Sequence, residues 1–245
     1  MRTHQTRRRA LLRAAAFGLG AAVPVLLLAY LVRSESSGLQ EFDEQVVAAA
    51  TSFTREHPAL LDFLVFWQEL FEPIWVNLAG TVVCVWVARR MPSRALWAFG
   101  TLMVTWVLTN LAKLAVARAR PVVEDALVNP PGGSFPSGHA TASAVAAVTL
   151  TVLLWPLLGP RGRILVPASG AIVVLITCAD RVMLGAHYPS DVLAGALFGT
   201  AMAGASAIGY LGWSPSTAAP ARTEAAHADD PDSISTGHHH HEERA

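Results

Sequence analysis

Residues 135–158 read FPSGHATASAVAAVTLTVLLWPLL. From residue 140 to residue 158 no side chain is charged. A helix rising 1.5 Å per residue crosses the roughly 30 Å hydrocarbon core of a bilayer in about 20 residues. The run from 137 to 158 is therefore read as a membrane span. Five further apolar runs lie around it, at about 11–32, 73–88, 95–113, 164–180 and 189–211. The reading is an all-α integral membrane bundle of six transmembrane helices.

The composition agrees. The chain has 245 residues, 53% hydrophobic and only 15% charged, with a mean hydropathy of +0.41. A soluble domain is about 25% charged, so the balance argues against a soluble enzyme or a disordered protein. Eighteen basic residues balance eighteen acidic ones, leaving no global field to recruit nucleic acid. Cys84 and Cys178 both lie in apolar runs, which suits free thiols rather than a disulfide framework.

Basic residues set the expected orientation. Arg2, Arg7, Arg8, Arg9 and Arg13 surround the start of the first run, Arg89, Arg90 and Arg94 separate the second and third, and Arg161 and Arg163 separate the fourth and fifth. These segments read as cytoplasmic, with both termini inside. The first run also resembles a cleavable signal sequence, but it is long for one and is read as an uncleaved helix. Residues 1–10 are then a cytoplasmic N-terminus and 11–213 the membrane domain. Residues 33–72 form an outer loop with amphipathic helices, either on the membrane surface or packed across the bundle. Residues 214–245, rich in Ala, Pro, Ser, Thr, Asp, Glu and His, are read as a disordered cytoplasmic tail, and its His238–His241 as a purification-tag remnant or adventitious metal binder.

The informative polar residues collect in the connections after the third and fifth runs, on the expected outer side. Lys113, the only lysine in the chain, ends the third run, and Arg118, Arg120 and Pro121 follow. Pro136-Ser137-Gly138-His139 enters the fourth run, and Asp180-Arg181 ends the fifth. His187-Tyr188-Pro189-Ser190-Asp191 leads into the sixth. Ser137 suits an N-cap and Gly138 allows close backbone approach, so the first helical turn offers unpaired N–H groups to an anion. Ser137 also reads simply as a cap. His187 and Asp191 are four apart, a spacing at which a carboxylate can accept Nδ1–H and leave Nε2 free to attack. Taken alone, that pair also reads as a helix cap beside an interfacial histidine. Lys113, Arg120 and Arg181 either snorkel to the interface or surround a dianionic phosphoryl group.

Together the blocks Lys113-x6-Arg120-Pro121, Pro136-Ser137-Gly138-His139 and Arg181-x5-His187-x3-Asp191 resemble the type 2 phosphatidic acid phosphatase (PAP2) superfamily. That resemblance implies a PAP2/haloperoxidase-like catalytic core. It implies His187 as a nucleophile forming a phosphohistidine, Asp191 as its orienting carboxylate, and His139 as the general acid. It also implies Lys113, Arg120, Ser137, Gly138 and Arg181 as phosphate ligands, with no metal and no cofactor. The implied activity is hydrolysis of a lipid phosphate or pyrophosphate, such as phosphatidic acid, phosphatidylglycerophosphate or undecaprenyl pyrophosphate. The expected partners are that substrate and membrane lipids. The alternatives are phosphotransfer to a lipid or sugar hydroxyl, and a non-catalytic protein that binds or moves lipid phosphates. The lysine-poor, arginine- and alanine-rich composition suggests a bacterial plasma membrane with the site on its outer side.

The third block departs from the family pattern: Asp180 stands where serine is usual. An ionised aspartate there would repel phosphate, so it is expected to turn away and pair with Arg118 or Arg181, or to be protonated if desolvated. Arg118, two residues before Arg120, is a candidate contact for the second phosphate of a pyrophosphate. Glu124 and Asp125 are read as solvated loop charges, and His57 as structural. Trp67, Trp75, Trp97, Trp155 and Trp213 lie near run ends and suit interfacial belts.

Overall fold

The computed structural model describes residues 2–123, 127, 128 and 130–213. The expectations for Glu124, Asp125, the 214–245 tail and His238–His241 lie outside the described residues. Among those residues the fold is all-helical. In chain order the helices are α1 (Arg2–Arg33), α2 (Ser37–Arg55), α3 (Pro58–Leu70), α4 (Pro73–Ala88), α5 (Pro92–Val116), α6 (Gly138–Leu154), α7 (Gly162–Met183) and α8 (Pro189–Trp213). A short 3-10 turn, Trp155–Leu157, extends α6. Proline opens α3, α4, α5 and α8, where its missing N–H costs no helical bond.

Five helices are long and apolar enough to cross a membrane: α1, α5, α6, α7 and α8. The expected second span differs. At 16 residues α4 is about 24 Å long, short of a bilayer core. It reaches span length only together with α3, from which it is bent by 51°. The expected interfacial segment 33–72 therefore divides. Its second helix, α3, belongs to this bent pair, while α2 packs against α3, α7 and α8. Asp43, Val47, Thr51 and Thr54 form the buried face of α2, so α2 lies on the bundle.

The outer surface of the spans is apolar. Leu19, Val23, Leu26, Val82, Leu96, Ile164 and Leu175 are all more than half exposed, as lipid-facing side chains are. Trp75 and Trp155 share this surface. Trp67 and Trp97 do not: their indole N–H groups donate inward to Thr177 Oγ1 at 3.1 Å and Ser206 Oγ at 2.8 Å. An indole withdrawn from water must place its one donor, and these hydroxyls accept it. His57 has the structural role expected of it, with Nδ1 2.8 Å from Phe53 O and its ring against the Phe53 ring. Cys84 is buried, Cys178 half-buried, and both are free.

Helix α6 is the hub, packed against α4, α5, α7 and α8. Its stretch from residue 140 to 146 is buried at every position. Small residues let α8 come close: a Cβ on Gly195 would lie 2.6 Å from Ser137 O, and one on Gly199 2.5 Å from Thr141 O. Small residues at such crossings are how membrane helices gain van der Waals contact. Gly199→Ala is therefore expected to force α6 and α8 apart and to cost about 1–3 kcal/mol, the usual range for overpacking. Thermal unfolding in detergent checks this, with Gly100→Ala, which has open space at its Cβ position, as the neutral control.

Candidate active site

Two chain reversals, after α5 and after α7, bring the polar blocks to one end of the bundle. Helix α5 ends at Ala117, in the left-handed region with φ 51°, whose N–H caps Lys113 O. Helix α7 ends at Gly185 with φ +69°, where Gly185 N–H bonds Val182 O and Ala186 N–H bonds Arg181 O. These are the two bonds of a Schellman cap, which favours glycine at the left-handed position. His187 N–H also bonds Arg181 O, at 3.1 Å. The chain then turns into α8 at Pro189. Helix α6 begins at Ser137, whose hydroxyl accepts Ala140 N–H at 3.5 Å and whose own N–H donates to Asp191 O at 3.0 Å. That last bond ties the start of α6 to the first turn of α8.

His187 is buried, 2% exposed, with both ring nitrogens engaged. Arg120 Nη1 lies 3.2 Å from Nε2. A guanidinium has only donors, so Nε2 carries the lone pair and Nδ1 the proton. Nδ1 lies 3.3 Å from Ser134 Oγ and 3.6 Å from Asp191 Oδ2. The expected direct carboxylate contact is therefore longer than a hydrogen bond. The Ser134 hydroxyl stands nearer, and it donates to Asp191 Oδ2. Burial lowers the imidazole to about 4; Asp191 opposes the shift, and Arg120 and Lys113 add to it. The ring is neutral near pH 7.

Asp191 is fully buried and held on both oxygens. Oδ1 accepts Arg118 Nη1 at 2.7 Å, and Oδ2 accepts Tyr188 N–H at 2.9 Å and the Ser134 hydroxyl. Arg118 also bonds Asp43 and Ser190 and lies over the Tyr188 ring. Burial pushes its guanidinium down, but Asp191 and Asp43 outweigh this and raise it. The expected contact of Arg118 with a second phosphate is corrected here: its nitrogens are committed to two carboxylates. Asp180 pairs with Arg181 rather than Arg118, at 2.7 Å to Nε and 2.6 Å to Nη2, while its Oδ1 is buried without a partner.

The proposed phosphate ligands carry unequal charge, and Arg120 is the one shown at Nε2. Lys113 Nζ bonds Gly133 O at 2.8 Å, and Arg120 bonds the carbonyls of Gly132, Pro131 and Ala186. Among the described residues neither cation has a carboxylate within salt-bridge distance, so their charges stay available. Arg181 is offset by Asp180 and also bonds Gln68 Oε1 at 2.9 Å. A Cβ on Gly138 would sit 3.7 Å from Lys113 Cε, so the lysine passes over the start of α6. His139 lies within the same field, with Arg181 and Lys113 as cationic neighbours, His187 close by and a hydrogen bond to the Gln68 backbone. Ser137 is fully buried and its hydroxyl caps α6. From Lys113 and Gly138 a cavity descends between α4, α5 and α6, lined by Asn77, Thr105, Thr109 and Val145 among others.

Four participants escape sequence reasoning: Ser134, Gln68, Asp43 and the structural role of Arg118. Asp43 alone left a trace, as a charge on the face that α2 turns to the bundle at 43, 47, 51 and 54. Among the described residues no three His, Cys, Asp or Glu side chains cluster in a metal-ligating arrangement.

Residues 94–213 match the family described as the PAP2 superfamily. The lipid A 1-phosphatase of Rhizobium etli is 38% identical over 117 residues, which are 42% of this chain and 44% of that protein. The decaprenylphosphoryl-5-phosphoribose phosphatase of Mycolicibacterium smegmatis is 35% identical over 124 residues, 49% of this chain and 62% of that protein. This chain thus aligns with less than two thirds of the length of either. The crystal structure of a transmembrane PAP2 type phosphatidylglycerolphosphate phosphatase from Bacillus subtilis superposes with a TM-score of 0.69, covering 77% of this chain and 93% of that one at 22% identity. The fold is that of a multi-pass membrane protein.

Proposed function

This chain belongs to the PAP2 superfamily through residues 94–213, and from that premise we propose that it hydrolyses a phosphate ester or pyrophosphate on a lipid through a phosphohistidine. One observation carries the reading. A neutral, buried His187 presents the lone pair of Nε2 to Arg120, while its Nδ1–H is backed by Ser134 and Asp191.

The substrate phosphoryl group enters beside Lys113, Arg120, Arg181 and the first N–H groups of α6. These fixed donors stabilise charge as it builds on the equatorial oxygens, without reorganising during the reaction. Nε2 attacks phosphorus as the bond to the leaving oxygen breaks, and His139 protonates that oxygen. The ring becomes a phosphoimidazolium, stabilised by Asp191. Water then attacks phosphorus with His139 as base, the P–N bond breaks, and His187 returns neutral.

The lipid assignment rests on position. The site lies at the ends of spanning helices, opposite Arg89, Arg90, Arg94, Arg161 and Arg163. By the basic-residue rule the site faces outward from a plasma membrane, and α1 begins and α8 ends on the cytoplasmic side. Residues 11–213 form the catalytic body, and a headgroup reaches the cations while its chains stay in the bilayer.

The test is a panel of lipid mono- and pyrophosphates in detergent, assayed for phosphate release without any added hydroxyl acceptor. Vanadate, which mimics five-coordinate phosphorus, is expected to inhibit, and EDTA to leave the rate unchanged. No release from any member, or release lost on chelation and restored by Mg²⁺, overturns the reading. Release that appears only with an added hydroxyl acceptor marks a phosphotransferase instead.

A further inference from the structure

Asp43 lies on α2, outside all three sequence blocks, and is fully buried. Its Oδ1 accepts Ser190 N–H at 3.0 Å. Its Oδ2 accepts the Ser190 hydroxyl, and Arg118 Nη2 at 2.8 Å. Arg118 turns its other terminal nitrogen to Asp191 Oδ1 at 2.7 Å and to Ser190 Oγ at 2.7 Å. Asp43, Arg118 and Asp191 therefore form a row of alternating charge, with both carboxylates buried and Arg118 half-buried, that ends against His187.

The row matters because of its sum. Asp191 paired with Arg118 alone would be a closed, neutral pair, and at the imidazole the two fields would largely cancel. Attraction between buried charges is weakly screened, so a cation in direct contact is a strong counterweight. Asp43 takes one of the two terminal nitrogens of Arg118 and brings the three charges to −1. It also holds Ser190, the residue immediately before Asp191. We propose that Asp43 is a positioning residue for the reaction, acting through Arg118 and Ser190 to keep Asp191 oriented and its negative charge effective at His187. This rests on reading His187 as the nucleophile. In the step concerned, the Nε2 lone pair forms the P–N bond, the bond to the leaving oxygen breaks, and Nδ1 keeps its proton. The ring thereby gains the positive charge that the row stabilises.

The test uses the full chain in detergent, with dioctanoyl phosphatidic acid and p-nitrophenyl phosphate as probes. Four proteins are compared with the wild type: Asp43→Asn, Arg118→Gln, the Asp43→Asn/Arg118→Gln double variant, and His187→Ala. One unit charge acting over on the order of 8–10 Å at an effective dielectric near 20 changes a rate by about 15- to 35-fold. Asp43→Asn is expected to lower kcat by that amount with KM unchanged, and to lower the phosphohistidine trapped by alkaline quench. The double variant restores the sum of −1, so its kcat should exceed that of Asp43→Asn by at least about threefold, where a merely structural role predicts losses that add. A kcat for Asp43→Asn within about threefold of wild type, a loss confined to KM, or a double variant slower than Asp43→Asn overturns the proposal. Should Asp43→Asn fail to fold, the double variant carries the test alone, and a rate more than about 100-fold below wild type overturns the proposal. If His187→Ala still releases phosphate, the nucleophile reading fails. If His187→Ala is inactive and Asp43→Asn matches wild type, only the role of Asp43 fails.

Discussion

His187→Ala is expected to lower phosphate release by at least about 10⁴-fold, the scale seen when a covalent nucleophile is removed from a site that otherwise stays intact. The ring holds the lone pair of a nucleophilic nitrogen toward a cation, through Nε2 at 3.2 Å from Arg120. Without it water would have to attack the bound phosphoryl group directly, and no phosphohistidine could form. Alkaline quench after incubation with radiolabelled substrate should trap label on the wild type and none on His187→Ala. Label on both would place the nucleophile elsewhere. The acid limb tests the same residue. Burial lowers the ring to about 4 from an ordinary value of 6.5. Attack needs the neutral ring, so protonation of His187 removes the rate as pH falls through about 4, not through 6.5. The stability sign agrees: the folded state excludes a proton that the unfolded chain binds below 6.5, so this group's contribution is present above 6.5 and is lost as pH falls toward 4. A rate controlled by His187 that halves near pH 6.5 would contradict its buried environment.

His139→Gln has the second largest expected effect, about 10²–10⁴-fold on a lipid alkoxide leaving group, the usual range for losing a general acid. The diagnostic is its dependence on the leaving group. A lipid alkoxide is strongly basic and needs a proton as it departs, whereas p-nitrophenolate leaves readily without one. The same variant should therefore lose far less, on the order of tenfold, with p-nitrophenyl phosphate. Equal losses with both substrates would assign His139 to binding instead. Its place at the second position of α6, among Arg181, His187 and Lys113, puts it beside the groups proposed to hold the phosphoryl group.

Much of this site was legible in the linear chain because its signals are local. Span length is a property of consecutive residues, so five of six runs emerged as helices able to cross a membrane. The exception, 73–88, is short because a proline at its start and Glu72 before it put a bend where the sequence suggested an end. The order of the blocks was equally local: a basic residue closing one run, a capped turn opening the next, and a histidine with an aspartate four residues on. Topology then brought all three blocks to one end.

What the chain alone could not reveal was which charges meet. Arg118 and Arg120 look interchangeable in sequence, yet one is committed to Asp43 and Asp191 while the other faces His187. Ser134 and Gln68 carry no pattern, and they join the site only because the loop and α3 fold back over it. Trp67 and Trp97 have the spacing of belt residues but donate inward to hydroxyls of other helices. Hydropathy and short motifs determined that the chain crosses a membrane and carries two histidines, an aspartate and cations at run ends. Tertiary packing decided which cation has no carboxylate partner among the described residues and which is neutralised, because a charge is set by its partners in space, and those partners come from helices remote in sequence.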